Sequence, residues 1–273
     1  MKYSVLMSVY AKETPDFLRE SLDSMFSQTI PTDDFVLVCD GPLTDELNIV
    51  IAQYEEKYSS ILHVLRLPQN VGLGKALSEG LALCKNELVA RMDSDDISRP
   101  ERCELQLDYF ETHPEVSVIS GTVEEFAEIK DKVHASRMLP ESHADIISFA
   151  KTRNPFNHPC VMFKKSAVET AGGYQDFYLL EDYYLWLRML SHGFIGANIV
   201  EPLLWMRADY SMYKRRGGWK QYASCIKLLV YMRKKNICSR LTFYKAFIQR
   251  SIFSLSPGWF RTLLYKHFVR TKI

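Results

Sequence analysis

Short apolar runs alternate with longer amphipathic stretches over the first two hundred residues. The runs at 3–10 (YSVLMSVY), 34–41 (DFVLVCDG), 61–67 (ILHVLRL) and 87–93 (ELVARMD) are aliphatic and β-branched. The short apolar run at 3–10 predicts a strand covered on both faces, 34–41 a second buried strand, and 61–67 and 87–93 two further strands. Between them, Thr14-Pro15 opens a helix, with Thr as N-cap and Pro at the first helical position. Phe17, Leu22, Met25 and Phe26 supply its apolar face. A second helix is expected across 43–58, and a turn leading into a third across 70–84. Four strand–helix alternations predict an α/β fold: an open, mostly parallel sheet with helices on both faces.

The pattern continues less regularly. Arg99-Pro100 opens a helix to about 112, and 116–121 (VSVISG) is a further strand. Residues 158–174 are expected as a strand, a short helix and a Gly-Gly stop. The stretch 180–193 is an amphipathic helix, with Leu185, Trp186, Met189 and Leu190 inward and Gly193 closing it. Beyond Gly218, Trp219, Tyr222, Ile226, Leu229 and Val230 share one helical face. Tyr244, Phe247, Ile248 and Ile252 share another. No apolar stretch is long enough to span a bilayer, and the N-terminal run fits a buried strand better than a signal peptide.

Charge changes this picture at one place. From Arg207 to the end there are 16 Lys or Arg and one acid, Asp209, a net +15. The preceding residues carry 18 Lys or Arg against 32 acids, a net −14. The expected division is therefore 1–206 as the main domain and 207–273 as a basic helical region meeting an anionic partner. The six cysteines show no metal-finger spacing and read as buried, reduced thiols in a cytosolic protein.

Open parallel sheets bind ligands outside the carboxyl ends of their strands. Tyr10 follows the first strand, Asp40 ends the second, and Asp93-Ser94-Asp95-Asp96 ends the fourth. Crowded carboxylates there suit a hard divalent cation, Mg²⁺ or Mn²⁺, held together with substrate phosphates. The alternative is a solvated acidic turn before Arg99-Pro100. Gly72, Gly74 and Gly80 match neither a dinucleotide fingerprint nor a P-loop. They read either as packing glycines or as the frame for Lys75 against a phosphate or base. Glu181-Asp182 either serves the dipole of its helix or supplies a general base.

The motifs SVLMSVY, VCDG, NVGLGKALSEGL, ARMDSDD, NPFNHP and LEDYYLWLRM, in this order, resemble bacterial family 2 glycosyltransferases of the GT-A fold. The likeness covers about 3–207 and is nearest to members that build polysaccharide and lipopolysaccharide. It implies inverting sugar transfer from a nucleotide-diphosphate donor, with a UDP-sugar favoured, to a hydroxyl of a lipid-linked oligosaccharide or polysaccharide. By match, Ser8, Val9 and Tyr10 would line the base pocket, and Asp40 would bind the base or ribose. Asp93 and Ser94 would contact the nucleotide-sugar, and Asp95 with Asp93 would hold the metal. Asp182 would be the catalytic base, and Glu181 and His158 would line the acceptor or donor-sugar side. Arg207, Arg215 and Arg216 are candidate diphosphate contacts; 214–218 reads equally as an exposed linker. Relatives often carry a His where this chain has Asp209, which leaves a third metal ligand open.

The resemblance implies a cytoplasmic enzyme held peripherally on the inner face of the cell membrane. The basic, aromatic faces of the C-terminal region fit an anionic membrane surface. Packing on the catalytic domain or on another subunit is the alternative. Their aromatics lie on helical stripes rather than on a stacking sheet, so nucleic acid is not expected. Two rival functions remain. A sugar nucleotidyltransferase would want a basic Gly-rich loop where this chain has AKETPDF. A non-catalytic nucleotide- or membrane-binding module would not need both Asp95 and Asp182.

Overall fold

The computed structural model describes residues 1–208 and 218–255, the last three by backbone alone. The four anticipated strands form as β1 (Tyr3–Val9), β2 (Asp34–Cys39), β3 (Leu62–Arg66) and β4 (Leu88–Asp93). The intervening helices are α1 (Pro15–Phe26), α2 (Asp45–Lys57) and α3 (Leu73–Leu83). These strands pair in parallel in the order β3-β2-β1-β4, with Ser8 opposite Asp93. Alternation along β1 explains its unbroken apolar run. Val5, Met7 and Val9 meet Leu18 and Leu22 of α1 and Ile51 of α2 on one face. Leu6 meets Leu77 and Leu81 of α3 on the other.

The rest of the chain completes the sheet with mixed directions. It contributes β5 (Ile97–Ser98), α4 (Arg102–Thr112), β6 (Val116–Phe126), β7 (Ala135–Arg137) and α5 (His143–Ala150). Next come a 3₁₀ turn (His158–Cys160), β8 (Met162–Lys164), α6 (Lys165–Thr170), α7 (Glu181–Ser191) and β9 (Ile195–Arg207). β8 inserts antiparallel between β4 and β6, and β9 runs parallel to β6. β6 outruns the expected 116–121 because shifts in register near Gly121 and Thr122 let pairing resume through Phe126.

Two glycines set close approaches. A Cβ on Gly80 would lie 2.5 Å from Val38 Cγ2 and 2.6 Å from Leu6 Cδ1, so its absence lets α3 seat on the sheet. Gly41 (φ +89°) turns the chain after β2, where a Cβ would lie 2.5 Å from Asn70 N.

Two more helices follow, α8 (Trp219–Lys234) and α9 (Arg240–Leu255). Leu228, Leu229 and Met232 of α8 and Ala246 of α9 share a core with Phe177, Tyr183 and Leu187. α8 therefore packs on the layer that carries α7. Phe247 turns toward this core, while Tyr244, Ile248 and Ile252 point outward, which splits the apolar face expected for 244–252. All six cysteines are free and buried. Among the described residues no helix is long and apolar enough to cross a membrane.

Candidate active site

The acids gather at the carboxyl ends of β1 and β4. Ser21 Oγ donates to the Asp93 carbonyl (2.7 Å), which fixes the end of β4 against α1. Carboxylate oxygens of Asp93, Asp95 and Asp96 lie within 4.8 Å of one another. Burial pushes the Asp95 carboxyl up to about 7, and the neighbouring charges of Asp93 and Glu13 push the same way. Burial raises Asp96 as well, reinforced by Asp95 and Asp93. Three oxygen donors with this mutual repulsion fit a hard divalent cation and would be relieved by one.

Asp96 is buried, and its Oδ1 accepts from Arg207 N (2.8 Å). The Arg207 guanidinium donates to the Asp95 carbonyl (3.0 Å) and to Glu20 Oε2 (2.6 Å), and it covers the Phe17 ring at 3.7 Å. It thereby braces the acid turn against β9 and α1, next to the acids at the end of β4. Ser94 is buried, and its hydroxyl donates to Glu13 Oε2 (2.5 Å). Glu13, in the loop after β1, belongs to this acid group, although no motif marks it.

Val9 and Asp40 meet where Asp40 N donates to the Val9 carbonyl (2.8 Å), and Tyr10 stands exposed just beyond. The Asp40 carboxylate accepts from Val71 N (2.7 Å), Gly72 N (3.1 Å) and Asn70 Nδ2 (3.0 Å). It shapes the turn that launches α3. Lys75 is exposed and lines a groove of about 500 Å³ with Val71, Tyr174 and Asp176. None of the strand-end acids lines that groove.

The second group of residues sits at the start of α7. Asp182 Oδ1 accepts from Tyr183 N (2.6 Å), as a carboxylate in a first helical turn does. Its Oδ2 accepts from Asn154 Nδ2 (2.6 Å). Burial, then the Asp182 charge, pushes Glu181 up to about 7. His158 is buried, and its Nε2 lies 2.9 Å from the Tyr174 hydroxyl. Burial, aided by the Arg91 charge, holds this imidazole well below its ordinary value and therefore neutral.

Arg91 joins the two groups. It lies on the same face of β4 as Val89, 1% exposed, with Nη2 bonded to Asp93 Oδ1. Its Nε and Nη1 are buried and meet no protein acceptor. Its charge is felt at Asp95, Asp96, Glu181, His158 and Tyr174. A cation inside an apolar strand was the visible signal for it. Arg215, Arg216 and Asp209 lie outside the described residues.

Comparison with known proteins extends the picture. The UDP-Gal:alpha-D-GlcNAc-diphosphoundecaprenol beta-1,3-galactosyltransferase of Escherichia coli is 40% identical over 269 residues, 98% of this chain and 97% of that protein. The amylovoran biosynthesis glycosyltransferase AmsE of Erwinia amylovora is 41% identical over 267 residues, 97% and 98% of the two chains. The structure of S. aureus TarS 1-349 in complex with UDP-GlcNAc superposes with a TM-score of 0.68 at 18% identity, covering 98% of this chain and 76% of that one. The GT-A architecture therefore holds, with β8 antiparallel within it. The family model "Glycosyl transferase family 2" matches residues 4–171, and the chain belongs to that family of glycosyltransferases.

Proposed function

We propose that this glycosyltransferase inverts the sugar it transfers, from a nucleoside-diphosphate donor, a UDP-sugar by preference, to a hydroxyl of a lipid-linked saccharide. Ser8, Val9, Tyr10 and Asp40 frame the nucleotide, with Asp93 and Ser94 beside it. Asp95 and Asp93 would hold Mn²⁺ or Mg²⁺, which when bound would offset the charge gained by the departing diphosphate. Asp182 takes the proton of the acceptor hydroxyl as its oxygen bonds to the anomeric carbon. The nucleoside diphosphate leaves with the electron pair of the broken C–O bond. A positioned base of this kind contributes about 10²–10⁴-fold. Neutral His158 and Glu181 lie on the sugar side. With such an acceptor the enzyme works in the cytoplasm, on the inner face of the cell membrane.

One observation carries this reading. The acid turn at the end of β4 and Glu181 at the start of α7, next to Asp182, feel the charge of one buried cation, Arg91. The named activity of the E. coli relative supports the choice of donor and acceptor. The test is a hydrolysis and transfer screen over several nucleotide-sugars, with Mn²⁺, with Mg²⁺ and with chelator. Metal-dependent turnover of one donor is expected, with Asp182→Asn abolishing transfer while donor binding persists. Transfer by Asp182→Asn at the parent rate would refute the base assignment.

A further inference from the structure

The outward face of α9 has a composition that solvent alone does not explain. Leu241, Tyr244, Ile248 and Ile252 recur at helical spacing and are 65%, 62%, 59% and 52% exposed. Lys245, also exposed, lies within the same stripe. The opposite face, with Phe243, Ala246 and Phe247, is the one that joins the core around Tyr183 and Leu187. The helix is anchored from behind and presents a second apolar stripe in front. Single exposed apolar side chains are ordinary, but four in one row over 16 residues mark an interaction surface.

The stripe continues toward α8. Ser251 Oγ lies 3.3 Å from the Tyr222 hydroxyl, which puts the first turn of α8 beside the last turns of α9. Trp219 opens that turn at 75% exposure, edge-on to Tyr222.

Charge selects the occupant. Between Gly218 and Leu255 there are eight Lys or Arg and no Asp or Glu. A second copy of this chain would bring like charges together across the contact. An anionic surface would not, and an apolar stripe edged by cations and aromatic residues is what an interfacial helix presents to lipid. At 1.5 Å per residue, α9 is about 24 Å long, enough to lie in a headgroup layer.

We infer that the outward face of α9, centred on Leu241, Tyr244, Ile248 and Ile252, docks the enzyme on an anionic lipid surface. This deepens the reading of a lipid-linked acceptor and rests on it for its purpose, although the docking itself needs neither donor nor acceptor. α8 is then the strut that fixes the docking face to the catalytic layer.

The test uses the full chain and two vesicle types, phosphatidylglycerol mixed with phosphatidylethanolamine, and phosphatidylcholine alone. The parent should co-sediment with the first and far less with the second, with binding weakened by added salt. The double variant Leu241→Gln/Ile248→Gln should bind the anionic vesicles at least tenfold more weakly, with donor hydrolysis unchanged. Asp182→Asn should bind them like the parent, so a failed mechanism and a failed docking face give different results. Equal vesicle binding by the double variant would overturn the inference, as would equal binding of the parent to phosphatidylcholine. A vesicle-free parent dimer that the double variant dissociates would reassign the face to self-association. A clear drop in Tm of the vesicle-free double variant would show that the stripe is covered by the chain itself.

Discussion

Asn154 Nδ2 donates to Asp182 Oδ2 at 2.6 Å, joining the loop before the 3₁₀ turn to the first turn of α7. Asp182 Oδ1 is meanwhile held by Tyr183 N. The carboxylate is thereby fixed at both oxygens, and its plane is set by a residue 28 positions away. Asn154→Ala should leave donor KM nearly unchanged and lower kcat about tenfold to a hundredfold, the usual effect of a misplaced reacting group. Steady-state kinetics with the natural donor checks this. A large rise in KM with kcat intact would assign Asn154 to donor binding.

A second prediction concerns the acid turn. Asp95 is raised by burial and by Asp93 and Glu13, so its ionised form is held at a cost in the folded chain. In chelator at pH 8, Asp95→Asn should therefore be the more stable protein, by roughly 1–2 kcal/mol. Adding Mn²⁺ should raise the Tm of the parent and leave that of the variant nearly unmoved. Differential scanning fluorimetry with and without metal reads both effects.

Glu181 makes a prediction with pH. Its carboxyl rises from the ordinary 4.5 to about 7, burial first and Asp182 second. The folded state therefore binds this proton more tightly than the unfolded chain. Stability is lost as pH climbs from about 4.5 through about 7, and is regained on acidification. Glu181→Gln should remove that slope and gain up to about 3 kcal/mol above pH 7. Urea unfolding at pH 5 and pH 8, parent against variant, provides the comparison.

The strands β1 to β4 and the acids at their ends were readable because each rests on local pattern: a short apolar run, then a polar terminus at a place where sheets bind ligands. What connects those acids was not. Arg91 was not singled out in its apolar strand, and Tyr174, His158 and Glu181 reach it only through the tertiary path of α7 and the 3₁₀ turn. β8 has three residues and no measurable period, so its antiparallel insertion left no local trace. β6 hid its second half behind Gly121 and the acids Glu124 and Glu125. Glu125 is in fact buried and accepts from Arg137 at 3.0 Å. Arg207 was named from the resemblance alone; its bonds to Glu20 and to the Asp95 carbonyl join residues far apart in sequence, which no local pattern shows.

Gly80 tests the packing of α3. Alanine normally stabilises a helix interior by about 1 kcal/mol relative to glycine. Here its methyl would meet Val38 and Leu6 near 2.5 Å, well inside contact distance. Overpacking of this sort costs about 1–3 kcal/mol and should outweigh the propensity gain. Gly80→Ala should lower the urea midpoint with the m-value unchanged. A stabilised variant would mean that α3 can slide on the sheet.

Arg91 carries the last prediction. Its guanidinium is bonded to Asp93 Oδ1 and its charge acts on Asp95, Asp96 and Glu181, so in the metal-free protein it offsets four acids. Arg91→Met keeps the length and apolar stem and removes the charge. Breaking a buried pair by deleting one partner leaves the other uncompensated, so a loss of about 3 kcal/mol is expected in chelator. Asp93→Asn alone should cost less, because Arg91 still acts on the other acids. The Arg91→Met/Asp93→Asn double variant should be more stable than the two single losses added together, a coupling of about 1–2 kcal/mol in a double-mutant cycle. Mn²⁺ restores positive charge at the acid turn, so it should rescue Arg91→Met by more than it stabilises the parent. A cycle that closes to zero, with no extra rescue by Mn²⁺, would reduce Arg91 to a packing residue.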